Sequence, residues 1–106
     1  MIKTNFTTMA LVLTAVLAFT GSVSASEELA KKSGCTACHA VDKKLVGPAF
    51  SDVATKYKGL KGAEVTLAAK IKKGGSGVWG VIPMPANTSL SDEDVLALSK
   101  WVLKTK

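Results

Sequence analysis

Two cysteines three positions apart, with a histidine directly after the second, occur in this chain as Cys35-Thr36-Ala37-Cys38-His39. Cys-x-x-Cys-His is the motif through which c-type haem is attached to a protein. On one helical turn the two thiols lie on the same side, where each can add to a vinyl group at one edge of a porphyrin. The histidine can then reach the iron. The motif therefore predicts one haem c, bound covalently through Cys35 and Cys38, with His39 as an iron ligand.

The same cysteines could serve two other kinds of site. A thioredoxin-like redox pair shares the Cys-x-x-Cys spacing, but this chain is short and lacks the alternating strand and helix pattern of that fold. A zinc site needs four ligands, and the whole chain contains 2 cysteines and 1 histidine. We therefore favour haem attachment, and a small thiol–disulfide module is the alternative that stays open.

Residues 1–25 have the pattern of a secretory signal peptide. They carry one charged side chain, Lys3, an apolar run over residues 9–19, and a small-x-small end at residues 23–25. An uncleaved membrane anchor is the alternative, but the strongly apolar part is shorter than the roughly 20 residues that a spanning helix needs. We expect cleavage after residue 25, export to the periplasm, and a single domain formed by residues 26–106.

A domain of this length rarely folds on an apolar core alone and usually needs a disulfide, a metal or a cofactor. A disulfide between Cys35 and Cys38 would close a very short loop and so would stabilise the fold little. The chain has 14 lysines, no arginine and 8 acidic residues, for a net charge of +6. It therefore lacks the side chain that binds bases and phosphates bidentately. We expect an acidic protein surface or an anionic membrane as its partner, and no nucleic acid.

Met84 is predicted to be the second iron ligand. The other two methionines, Met1 and Met9, would leave with the signal peptide. Met84 stands between Pro83 and Pro85, which exclude a helix interior and favour an ordered loop. A methionine that fills a gap in the core is the alternative. Histidine–methionine ligation fills both axial positions of the iron and raises its reduction potential. This ligation predicts an electron carrier and not an enzyme.

The helical patterns predict an all-α fold of about four helices. Ser26 is expected to cap a short first helix that Gly34 closes. The second and third helices are predicted over about residues 50–57 and 63–73, and Ser91 is expected to cap the last. No segment alternates apolar and polar residues for long enough to predict a strand.

Five segments within residues 27–106 match one known family: Cys-Thr-Ala-Cys-His at 35–39, Val-Gly-Pro at 46–48, Gly-Val-Trp-Gly at 77–80, Ile-Pro-Met-Pro at 82–85 with Asn87, and Lys-Trp-Val-Leu at 100–103. In them the chain resembles the small bacterial class I cytochromes c of the c-551/c-552 group. The resemblance implies the class I cytochrome c fold, with about four helices around one haem c. It also implies periplasmic transfer of single electrons to a terminal reductase or oxidase.

The resemblance also implies roles for four further residues. Pro48 would offer its carbonyl to the second ring nitrogen of the histidine ligand. Trp79 would donate its indole N–H to a haem propionate. Asn87 would reach toward the methionine sulfur or its loop. Lys70 stands where some members have an arginine that pairs with a propionate, and a lysine lacks the bidentate fork for that contact. Turn or packing roles are the alternatives for the first three.

The partners that the resemblance implies are redox proteins with acidic surfaces, such as a nitrite reductase, a cytochrome oxidase or a quinol-oxidising complex. A basic ring around the haem edge would steer the protein to such surfaces. The lysines near both haem segments are Lys31, Lys32, Lys43, Lys44, Lys70, Lys72 and Lys73. A solvated lysine surface without a docking role is the alternative. We expect a monomer without stable membrane insertion, and a haem enzyme or sensor with an open sixth site is the alternative to a carrier.

Overall fold

The computed structural model describes Ala15 and residues 25–106, so the predicted signal peptide lies almost entirely outside the described residues. Four α-helices and one 3₁₀ turn follow in order: α1 (Ala25–Lys32), the turn (Cys35–Ala37), α2 (Phe50–Tyr57), α3 (Ala63–Lys73) and α4 (Asp92–Leu103). Residues 25–106 contain two isolated β-bridges and no strand. The all-α prediction is confirmed for this part of the chain. None of the helices described is long and apolar enough to cross a membrane.

Of the two ends predicted for α1, only the C-terminal end agrees with the structure. Gly34 follows the helix with φ of 78°, a left-handed conformation that glycine adopts without strain, as predicted for the residue that closes α1. Ser26 was expected to be the N-cap, and this prediction is wrong. The helix already begins at Ala25, and the Ser26 hydroxyl donates instead to the carbonyl of Ala97, at 3.5 Å. The Ser26 hydroxyl thus contacts α4 and does not cap α1.

The last helix begins where the sequence indicated. The Ser91 hydroxyl accepts a hydrogen bond from the backbone N–H of Asp94, at 3.1 Å. This bond satisfies one of the free N–H groups at the start of α4. Acidic side chains at Asp92 and Glu93 add a favourable interaction with the helix dipole.

The core forms where α4 packs against each of the other three helices. Its principal cluster consists of Phe50, Val53, Tyr57, Ala63, Leu67 and Val102, with Trp101 packed against it. The Trp101 ring meets Phe50 edge to face, with the ring centroids 5.1 Å apart. Ser99 is fully buried between helices, and its hydroxyl donates to the carbonyl of Glu64 at 2.5 Å. These contacts fix α4 on α2 and α3, and a cavity remains beside them.

Candidate functional site

A cavity of about 560 Å³ lies between the helices and the loop that joins α3 to α4. This volume is in the range of small-molecule and cofactor sites, roughly 300–1,000 Å³. Apolar side chains form much of its wall, among them Val53, Leu67 and Leu98. Seven of the eight residues that the sequence singled out also line it: Cys35, Cys38, His39, Pro48, Lys70, Trp79 and Met84. The eighth, Asn87, is not part of the lining.

The two cysteines lie at the wall of this cavity, in and just after the 3₁₀ turn. Both side chains are half-buried. Burial raises the pKa of the Cys35 thiol, against the smaller lowering effect of a backbone hydrogen bond. A redox-active Cys-x-x-Cys pair needs the opposite, a lowered thiol pKa. The environment of Cys35 therefore disfavours a thiol–disulfide module.

His39 is held by three neighbours. Its ring nitrogen Nδ1 lies 2.7 Å from the carbonyl oxygen of Pro48, the contact that the resemblance implies. Since a carbonyl can only accept, Nδ1 carries the proton and Nε2 keeps the lone pair that a metal would take. Phe50 stacks on the imidazole, with centroids 5.1 Å apart and planes inclined by 22°. A β-carbon at position 47 would lie 2.9 Å from Nδ1, too close for a normal contact. Any residue larger than glycine would therefore displace the His39 ring.

Met84 lies in the segment 75–87, which we call the methionine strap. Its backbone pairs with that of Gly75: the Met84 N–H donates to the Gly75 carbonyl at 2.8 Å, and the Gly75 N–H donates to the Met84 carbonyl at 3.1 Å. The prolines on either side restrict the backbone further. The Met84 side chain is half-buried and lines the cavity. The strap therefore presents a thioether to the same space that His39 lines.

Asn87 holds the strap to α3 and does not line the cavity. Its side-chain amide donates to the carbonyl of Ile71 at 3.1 Å and more weakly to that of Pro85 at 3.5 Å. Its backbone N–H also donates to Ile71, at 3.1 Å. Of the two positions expected for this amide, the sulfur or the loop, its hydrogen bonds favour the loop. Asn87 thus acts on Met84 through the backbone.

Trp79 lies at the rim of the cavity and is 44% exposed. The ammonium group of Lys56, on α2, lies 5.5 Å from the centre of its ring, within the range of a cation–π interaction. The sequence did not point to Lys56, since no motif relates a residue of α2 to the strap. Lys70 lines the cavity from α3, the side on which the resemblance places a propionate-binding residue.

The rim of the cavity combines apolar and basic side chains. Val46, Val81 and Ile82 are 52%, 91% and 63% exposed. Lys44 and Lys70 belong to the lining. Two of the lysines predicted for a basic ring are instead engaged in ion pairs within the chain, Lys31 with Glu27 and Lys72 with Asp92. The basic ring predicted from the sequence therefore has fewer free members than the list of lysines suggests.

The residues present fit a haem. Two thiols with the attachment spacing, one imidazole with Nε2 available and one thioether all line a single apolar cavity. An imidazole and a thioether are the donor pair that holds the iron in electron-transferring cytochromes. The lining also includes Lys70 and Trp79, whose N–H groups could bind the carboxylates of a haem.

Comparisons with known proteins show similarity to cytochromes c. The Cytochrome c family model matches residues 23–106. Cytochrome c-551 of Pseudomonas aeruginosa is 56% identical over 80 residues, which cover 76% of this chain and 76% of that protein. Cytochrome c-552 of Hydrogenobacter thermophilus is 51% identical over 94 residues, which cover 89% of this chain and 95% of that protein. The crystal structure of wild-type Nitrosomonas europaea cytochrome c552 is 54% identical in sequence, with a TM-score of 0.73 over 76% of this chain and 99% of that one.

Proposed function

The chain belongs to the cytochrome c family, and from this we propose that it carries single electrons in the periplasm on an iron ligated by His39 and Met84. Its relatives are the c-551 and c-552 cytochromes. It has the class I cytochrome c fold and binds one haem c covalently. It is thus a small haem electron-transfer protein. The ligand pair, the compartment and the partner belong to the proposal.

The observation that carries the proposed ligation is that His39 and Met84 line the same cavity from segments far apart in sequence. Each is held by its own backbone contacts, His39 by the Pro48 carbonyl and Met84 by Gly75. Because these contacts hold both side chains in place, little reorganisation would be needed when the iron changes valence. Such a rigid site suits electron transfer.

When bound, the haem supplies a one-electron Fe(III)/Fe(II) couple. The Met84 thioether favours the ferrous state and raises the potential. The Pro48 carbonyl accepts the Nδ1–H of His39, which fixes the ring and makes Nε2 a stronger donor. The apolar wall, with Val53 and Leu98, excludes water from the iron. With His39 and Met84 both bound, these residues would set the potential and would leave no coordination position for a substrate.

A test of this proposal is the reaction of the reduced protein with carbon monoxide. We expect no spectral change in the wild type, because Met84 occupies the sixth position. Met84→Ala should bind carbon monoxide at once, and its potential should fall by on the order of 0.1 V or more, since axial ligands set haem potentials over roughly 0.8 V. Val65→Ala, on α3, is 69% exposed and outside the lining of the cavity, and should behave like the wild type. Prompt binding by the wild type would support the haem enzyme or sensor instead.

The partner we propose is a redox protein with an acidic surface, which this chain meets as a monomer. Lys44 and Lys70 at the cavity and the excess of lysines over acidic residues in the domain 26–106 support this. Reduction by ferrocyanide, an anion, should slow as salt is added, and reduction by a cationic ruthenium complex should not. Lys44→Gln should slow the ferrocyanide reaction more than Lys61→Gln, which lies outside the lining. Rates that do not vary with salt would contradict charge steering.

We also propose that residues 1–25 are a signal peptide that is removed on export, leaving the domain 26–106. The apolar run and the small residues before position 26 support this. The intact mass of the exported protein, measured after denaturation, tests it. The expected mass corresponds to a chain that begins at Ser26 and carries one haem. A mass that includes residues 1–25 would mean that the segment is retained as an anchor.

A further inference from the structure

Gly74 ends α3 at the point where the backbone of the methionine strap crosses it. Its backbone has φ of 66° and ψ of −160°, a combination that side-chain-bearing residues rarely adopt. A β-carbon at this position would collide with the carbonyl oxygen of Met84. It would also lie 2.8 Å from the backbone nitrogen of Ala86 and 2.9 Å from the carbonyl carbon of Pro85. The absence of a side chain thus lets the strap lie directly on the helix end.

Other contacts hold the strap at the same place. The Gly75 and Met84 backbones exchange two hydrogen bonds. Three residues further along the strap, the backbone and side-chain N–H groups of Asn87 both donate to the carbonyl of Ile71. The last turn of α3, together with Gly74 and Gly75, therefore forms the surface on which the rest of the strap packs. We call this surface the seat. Gly74 determines how closely the strap approaches it.

We propose that Gly74 is a positioning residue for Met84, which sets the distance from α3 at which the thioether is presented to the iron. This inference rests on the proposed ligation by Met84. A methyl group at position 74 needs at least 3.4 Å from the strap backbone for an ordinary contact, whereas the Ala86 nitrogen would be at 2.8 Å. The strap would have to move outward. Displacements of about 0.5 Å are enough to impair a site of this kind.

The experiment compares Gly74→Ala with Gly62→Ala in the purified haem-containing protein. Gly62, at the other end of α3, also has a positive φ, 74°, but a β-carbon there meets no atom within 4 Å. We expect Gly74→Ala to lose the ferric absorption band that marks a methionine–iron bond, to have a lower potential, and to bind carbon monoxide when reduced. Gly62→Ala should keep the band, the potential and the closed site. A Gly74→Ala protein that keeps all three would overturn the inference.

The double variant Gly74→Ala with Met84→Ala distinguishes an effect of Gly74 on the position of Met84 from a general strain on the fold. If Gly74 acts through Met84, adding Gly74→Ala to Met84→Ala should change the potential no further. An additional shift of the same size as in the wild-type background would mean that Gly74 acts through the fold, and the inference would fail. Should Met84→Ala itself leave the band and the potential unchanged, the proposed ligation would fail first. The two failures are therefore distinguishable.

A second variant covers the case in which Gly74→Ala does not fold, as judged by far-UV circular dichroism. Asn87→Ala removes the side-chain hydrogen bonds to Ile71 and Pro85 without adding bulk. If the seat on α3 positions Met84, this variant should show the same losses in weaker form. An unchanged band and an unchanged potential in Asn87→Ala would then overturn the inference.

Discussion

His39 owes its orientation to residues in and just after the sequence motif Val-Gly-Pro at 46–48. Pro48 accepts its Nδ1–H, Phe50 covers one face of the ring, and Gly47 leaves room for it. A hydrogen bond of this type contributes about 1 kcal/mol and an aromatic pair about 0.5–1.5 kcal/mol. Neither is large, but together they select one rotamer and one tautomer of the imidazole.

Gly47→Ala should disturb this arrangement more than its small added volume suggests. The new β-carbon would lie 2.9 Å from Nδ1 and 3.1 Å from Nε2 of His39, so the ring must turn and weaken its bond to Pro48. Overpacking of this kind costs about 1–3 kcal/mol. We expect a lower free energy of unfolding in urea and shifted NMR signals of the His39 ring.

The control is Gly59→Ala, where φ is 75° and a β-carbon meets nothing within 4 Å. This variant should lose about 1 kcal/mol of stability through backbone strain alone. Its His39 signals should stay in place. Unchanged His39 signals in Gly47→Ala would contradict the role assigned to Gly47.

At this scale the sequence predicts the residues proposed to bind the iron and, through the resemblance, the Pro48 contact, but it does not predict the aromatic and basic side chains that pack around them. His39 and Met84 follow from a motif and from the scarcity of suitable donors. The sequence did not identify Phe50 as a neighbour of His39. The helical pattern marks Phe50 only as the start of α2, and its stacking on His39 depends on the path of the chain between the two residues. Lys56 lies over Trp79 for a similar tertiary reason.

At the scale of the elements, the methionine strap lies in the segment that joins α3 to α4. An ion pair joins their facing ends, with Lys72 Nζ 2.5 Å from a carboxylate oxygen of Asp92. The hydrogen bond from Lys72 and its positive charge lower the pKa of the exposed Asp92 carboxyl. The contribution of this ion pair to stability therefore depends on pH.

The direction of this pH dependence follows from the lowered pKa of Asp92. Because the carboxyl is easier to ionise in the folded state, the pair stabilises the fold at pH above about 4, the ordinary aspartate range. That stabilisation is lost as the pH falls through the lowered pKa. Asp92→Asn should therefore be less stable than the wild type at neutral pH, and the difference should shrink toward zero in strong acid. Urea unfolding at a series of pH values measures it.

Glu93→Gln serves as the control for the helix dipole, since Glu93 lies in the same first turn of α4. It should reproduce only a small part of the pH effect. Added salt should also reduce the difference between Asp92→Asn and the wild type, because the pair is exposed. If Glu93→Gln and Asp92→Asn proved equivalent, the dipole and not Lys72 would explain the pH dependence.

The helix boundaries were predictable where local residues determine them. Glycines flank α3 at both ends, and Ser91 caps α4, so the predicted and observed limits agree. Ser26 was misassigned because its hydroxyl contacts Ala97 across the molecule, which no local pattern contains. The Cys35–Ala37 segment forms a tight 3₁₀ turn because the left-handed Gly34 has already ended α1.

Considered as a whole, the molecule has a modest core beside a large cavity. Several of its buried positions are alanines, including Ala30, Ala49 and Ala54. Domains of this size usually need a cofactor or a covalent link to fold stably. The walls of the cavity belong to all four helices, the 3₁₀ turn and the strap, so one bound group would contact every part of the fold.

Cys35→Ala combined with Cys38→Ala should therefore give a chain that retains no haem after purification and is largely unfolded. Circular dichroism should show a loss of most helical signal, without a cooperative thermal transition. Thr36→Ala, an exposed change between the two cysteines, should leave haem content and folding unchanged. A haem-free double variant that unfolds cooperatively would mean that the helices suffice on their own.

The two tryptophans of the chain both line the cavity, Trp79 from the exposed strap and Trp101 from α4. A porphyrin at that distance accepts excitation energy from indole, so the intact protein should be nearly dark in fluorescence. Release of the strap alone would restore the emission of Trp79, whereas separation of the helices would restore that of Trp101. Replacing either tryptophan by phenylalanine would turn the other into an optical probe for local opening or for global unfolding.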